Sequence, residues 1–207
     1  MTMHILGSYP DHYLAMIFCL LAVVVIMFTF IRCRRTAPWQ ETEKSAAALI
    51  ITALMNILCL PVVKGIAIHM SGVLLLTLLI GPVRTILYHA LLQVLLCITL
   101  QYGNIASIGL NIINISLMQT CCGYYIFRKF ALPGPAMRIG RAVTSSSLLL
   151  AILVIIELSV TDYAVTGAVI FTIAVTGILV GFLEGLLTYR IYVFISASDT
   201  NTWAEYR

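Results

Sequence analysis

Charge is the scarcest property of this 207-residue chain: 10% of its residues are Asp, Glu, Lys or Arg, against 61% hydrophobic. That balance excludes a soluble globular domain and leaves no stretch for a separate one. Also missing is any Gly-x-x-x-x-Gly-Lys-Ser/Thr loop, so the chain does not bind and hydrolyse ATP by that route. No His-Glu-x-x-His occurs, nor any recognisable pair of nucleophile and base, which points away from an enzyme. The six cysteines lie in or beside apolar runs without Cys-x-x-Cys spacing, and read as small buried hydrophobes rather than a disulfide framework. Lys and Arg are absent before Arg32, so the first apolar run lacks the basic leader of a cleaved signal peptide. The net charge of +4 reflects which loops stay in the cytoplasm and implies no nucleic-acid partner.

What is present is membrane-length hydrophobicity. A spanning helix needs about 20 apolar residues to cross about 30 Å of hydrocarbon. Lipid leaves no partner for free backbone groups, so runs without period-two alternation must be helices. Cut at Pro, Gly and charge, the apolar runs predict an all-α membrane protein, a bundle of about seven transmembrane helices in one polytopic domain over 1–207. The spans fall near 12–31, 45–62, 66–80, 83–101, 105–127, 142–160 and 165–194. With that count Arg32, Arg34, Arg35, Lys44, Arg84, Arg128, Lys129, Arg138, Arg141, Arg190 and Arg207 share one side, leaving Lys64 on the other. Positive loops stay inside. The N-terminus is therefore expected outside and the C-terminus in the cytoplasm, in a multi-pass protein of the inner (plasma) membrane.

Two imidazoles then face the same, outer side. The chain begins Met1-Thr2-Met3-His4, placing an imidazole close to a free amine and the amide nitrogens between them. Such a nitrogen array suits Ni(II) or Cu(II), and imidazole also suits Co(II) and Zn(II). His69 follows the break Pro61-Val62-Val63-Lys64-Gly65. Irregular backbone at membrane depth lines cavities, and an intramembrane ionisable group is by default functional. The bland alternative for His69 is a hydrogen-bonded bundle residue.

Residues 61–130 closely resemble the substrate-binding subunits of cobalt/nickel energy-coupling-factor transporters, the CbiM/NikM type. The matching elements are Pro61 and Gly65 before His69, Gly81-Pro82, Gln93 in Leu92-Gln93-Val94-Leu95, and Gly109-Leu110-Asn111-Ile112-Ile113-Asn114. Leu183-Glu184-Gly185-Leu186-Leu187-Thr188 is similar to the Glu-Gly-x-x-Thr of the family's last helix. The resemblance implies capture of Ni2+ or Co2+ as the transported substrate, with no organic cofactor. Family members usually begin Met-His, and hold metal through the amine, the second residue's amide nitrogen and imidazole, and a later His. Carried over, these are Met3, His4 and His69. This chain departs by the extra Met1-Thr2. Either translation begins at Met3, or Met1 is removed and Thr2 supplies the amine, in which case His69 is axial or adjacent to the metal shell.

Gln93, Asn111 and Asn114 are candidates to orient the His69 ring, with ordinary interhelical hydrogen bonds as the alternative. His89, near Arg84, reads as structural, and His12 as a surface residue. Gly177, Gly181 and Gly185 recur every four residues, a spacing that lets helices approach closely, in this bundle or against a partner. Embedded between two of them, Glu184 must be paired or protonated. The resemblance further implies a transmembrane coupling subunit and ATPase subunits as partners beside membrane lipid, and links to cobalamin biosynthesis. Two competing readings are an importer subunit for another small solute with drifted metal ligands, and a non-catalytic membrane assembly subunit.

Overall fold

The computed structural model describes residues 2–5, 12–36, 43–63, 66–100, 105–130, 132–160 and 166–196. Among them are seven helical segments: α1 (His12–Thr36), α2 (Glu43–Ile57), α3 (Val73–Ile80), α4 (Pro82–Leu100), α5 (Ile105–Lys129), α6 (Pro135–Val160) and α7 (Gly167–Ser196). Five of these are long and apolar enough to cross a membrane: Tyr13–Arg35 within α1, then α4, α5, α6 and α7. The other two fall short. At 1.5 Å per residue, the 15 residues of α2 and the 8 of α3 reach about 22 and about 12 Å, less than the hydrocarbon core.

The expected helices over 45–62 and 66–80 are corrected here. The first stops at Ile57, and the chain then runs as strand β2 (Cys59–Val63) and strand β3 (Ile66–His69) before α3 begins. Pro61 has no N–H and cannot continue a helix, while on the edge of a sheet it is tolerated. Strand β1 (Thr2–Ile5) completes an antiparallel sheet of order β1-β3-β2, with a bulge in β2 between Pro61 and Val63. Ala67, Ile68 and His69 of the central strand are all buried. Non-helical backbone is tolerated in a membrane protein where protein encloses it, as it does these three residues.

Gly72 turns the chain from the sheet into α3 with φ 65°, the left-handed region where glycine carries no steric cost. Every residue from Val73 to Leu78 is buried, as a helix apolar all round requires. Around this short central rod lie two apolar clusters. One joins Ile68 and Val73 to Ile115, Leu150, Val154 and Ile173; the other joins Leu74, Leu75 and Leu78 to Phe127, Ile139 and Tyr192. By contrast, Met16, Leu20, Val24, Met27 and Phe28 of α1 are exposed, the pattern of a lipid-facing helix.

Small residues set the close contacts between helices. An added Cβ at Gly109 in α5 would land on the backbone of Phe18 and Cys19 in α1. One at Gly185 would lie 3.0 Å from the Gly140 Cα, and one at Gly181 2.9 Å from the Ser147 Cβ, so α6 and α7 run antiparallel in near backbone contact. The expected sixth span also starts earlier, at Pro135, because proline is favoured in a helix's first turn. Within α5 the stretch Ile112–Gln119 is π-helical, a wider winding common at functional sites.

Candidate metal centre

His69 ends the central strand and is opposed on both sides, with Cα partners Thr2 in β1 and Cys59 in β2. The β1 register continues as Met3 with Ile68, His4 with Ala67 and Ile5 with Ile66. Antiparallel partners share a face and the side-chain period is two, so positions 2 and 4 are in phase with positions 67 and 69. The backbone of the leading segment thus lies along the strand that carries His69. The side chains of Thr2, Met3 and His4 lie outside the described residues, as do Met1 and Lys64.

The His69 ring is 1% exposed, and its Nδ1 lies 3.1 Å from the Met70 carbonyl oxygen. A carbonyl only accepts, so Nδ1 carries the proton and the lone pair of the neutral ring is on Nε2. Metal-ligating imidazoles characteristically donate their second nitrogen to a carbonyl or carboxylate in this way. Among the described residues no three His, Cys, Asp or Glu side chains converge to hold a metal ion.

Just beyond His69, a buried polar network converges on Ser71. Asn56 in α2 donates from Nδ2 to the Ser71 carbonyl at 2.8 Å, and to the Thr52 carbonyl at 2.8 Å. Gln93 in α4 donates to Asn56 Oδ1 at 3.1 Å. Glu184 in α7 accepts at Oε1 from the Ser71 hydroxyl at 2.6 Å and from the Gly72 N–H at 2.9 Å. His89 is fully buried, with Nδ1 2.9 Å from Ser116 Oγ in the π-helical stretch.

The three candidates for orienting His69 lie as follows. Gln93 reaches the Ser71 turn through Asn56. Asn111 is buried in α5 beside the π-helical stretch. Asn114 donates to both Glu157 oxygens in α6, at 2.8 and 3.0 Å. Asn56, Ser71 and Ser116 were not singled out from sequence. The one available signal was a carboxamide in the second half of α2, which is apolar but for Thr52.

A helical, polytopic membrane protein with a sheet-borne buried histidine is the class that this architecture defines. The chain belongs to the CbiM family, described as the cobalt uptake substrate-specific transmembrane region, whose model matches residues 9–201. It is 26% identical over 199 residues to a fused protein of Archaeoglobus fulgidus named for nickel transport, NikMN, covering 95% of this chain and 66% of that one. The chain thus spans just under two thirds of that relative's length. It is 22% identical over 200 residues to the cobalt transport protein CbiM of Acetoanaerobium sticklandii, covering 92% of this chain and 83% of that one. A crystal structure of a transition metal transporter matches with a TM-score of 0.82 and 16% identity, over 98% of this chain and 97% of its own. At that identity the likeness speaks to the fold alone.

Proposed function

We propose that the chain is the metal-capture subunit of an ATP-driven importer of the energy-coupling-factor type, taking Ni(II) or Co(II) as its substrate. The observation that carries this reading is the register laying residues 2–5 along the strand that ends at His69. In this reading the ion is held on the outer side by nitrogens of the leading segment, the His4 imidazole and His69 Nε2. Met3 supplies the amine if the chain starts there, and Thr2 if Met1 is removed. Nitrogen donors of this kind suit late divalent metals. Gln93, Asn111 and Asn114 support the shell indirectly. The N-terminus lies outside and the C-terminus in the cytoplasm of the plasma membrane, and 1–207 acts as one domain. A transmembrane coupling subunit and ATPase subunits drive release inward, since this chain has no nucleotide-binding loop of the Gly-x-x-x-x-Gly-Lys type.

Equilibrium binding of Ni(II) and Co(II) to the untagged, purified protein tests the reading. His4→Ala should weaken binding at least about 100-fold whichever residue comes first, because an inner ligand is lost. His69→Ala should weaken it about 10–100-fold. Acetylating the terminal amine should abolish tight binding. Parent-like affinity in both His variants would end the proposal.

A further inference from the structure

We infer that Glu184 is a positioning residue for His69, acting through the Ser71–Gly72 turn; the inference rests on His69 being a metal ligand. The path is short, and it is buried from Glu184 to Ser71 and part-buried at the Met70 carbonyl. Glu184 Oε1 accepts from the Ser71 hydroxyl at 2.6 Å and from the Gly72 N–H at 2.9 Å, and both Glu184 and Ser71 are 0% exposed. The Ser71 hydroxyl, its proton committed to Glu184, also accepts from the Val73 N–H at 3.2 Å. The Ser71 carbonyl is held from α2 by Asn56. Donor and acceptor atoms of Ser71 are therefore engaged from α2, α7 and the first residue of α3, and Gly72 fixes the bend. The peptide plane just before Ser71 belongs to Met70, whose carbonyl sits 3.1 Å from His69 Nδ1. That carbonyl selects the tautomer and the direction in which Nε2 points. Each link is a hydrogen bond or one peptide unit, so the carboxylate on α7 sets the aim of the imidazole on β3.

Burying a carboxylate in a membrane bundle is costly, and its short hydroxyl bond is of the charge-assisted kind. The bond spans 113 residues of sequence, tying the last helix to the sheet. Because Gly185 places α7 against Gly140 of α6, the anchor sits on a tightly packed helix pair rather than on a loop. The neighbouring Leu183 and Leu186 are exposed on the far side of α7.

The test uses the untagged, full-length protein in detergent, titrated with Co(II) and followed by its visible ligand-field bands. Glu184→Ala should weaken Co(II) binding about 10–100-fold, the range for loss of a residue that orients a metal ligand. At saturating Co(II) its bands should be shifted, which a merely structural lesion would not produce in the folded, loaded fraction. Glu184→Gln keeps an acceptor oxygen and should restore affinity to within about threefold and the parent bands. Parent-like affinity and bands in Glu184→Ala overturn the inference, and so does a Glu184→Gln variant as weak as the alanine. If Glu184→Ala does not fold, Ser71→Ala decides: about a tenfold loss with shifted bands supports the inference, and parent behaviour overturns it. His69→Ala separates the two levels. Parent-like binding there removes His69 as a ligand and with it this inference, whereas loss there with a parent-like Glu184→Ala sinks only the role of Glu184.

Discussion

Two adjacent residues carry unusual demands at the end of β3. Gly72 has φ 65°, and a Cβ built on it would meet Thr52 Oγ1 at 2.8 Å and the Thr52 Cα at 3.1 Å. For an L-residue the left-handed conformation alone costs about 1–2 kcal/mol, and here the contact with α2 adds to it. Gly72→Ala should therefore lower the melting temperature of the metal-free protein by several degrees and weaken Ni(II) binding alongside, measured on one preparation by calorimetry and titration. Its neighbour Ser71 is held from α2 and α7, so a residue with little visibility in the sequence is one on which three buried polar bonds converge. A serine between Met70 and Gly72 has no local mark of that role. Its partners sit 15 and 113 residues away.

At the level of elements, the membrane-length helices were readable because a long apolar run is a local property of the chain. Strands β2 and β3 were not. Ile66-Ala67-Ile68-His69 fits a helix as well as a strand when read by itself, and what makes it a strand is pairing on both edges, one of them with residues 2–5. The helix pair α6–α7 shows the opposite case, in which spacing did forecast contact: the every-fourth glycines of α7 mark the face that meets α6. Gly181 and Gly185 lie against Ser147 and Gly140. Gly185→Leu should separate the two helices and cost about 1–3 kcal/mol, read as faster thermal inactivation in detergent. Gly140→Ala, whose added Cβ meets nothing within 4 Å, should leave that rate unchanged.

At the scale of the whole molecule, the distribution of positive charge makes a prediction about topology. With the six native cysteines replaced, Lys64→Cys should react with a membrane-impermeant maleimide added outside intact cells. Lys129→Cys, among Arg128, Arg138 and Arg141, should react only after the membrane is opened. The reverse pattern would place the sheet on the cytoplasmic side and remove the basis for capture from outside.

By itself the sequence determined the class, since apolar content and run length dictate burial in lipid whatever the neighbours do. It also carried the family, through Pro61, Gly65, His69, Gln93, Asn111, Asn114 and Glu184 in their order. Only the tertiary structure decided that the break before α3 is a three-stranded sheet, that α3 is a buried rod of 8 residues, and that Glu184 grips the Ser71 turn. The reason is physical. Hydrophobic length is additive along the chain, whereas strand pairing and buried hydrogen bonds exist only between segments that folding brings together.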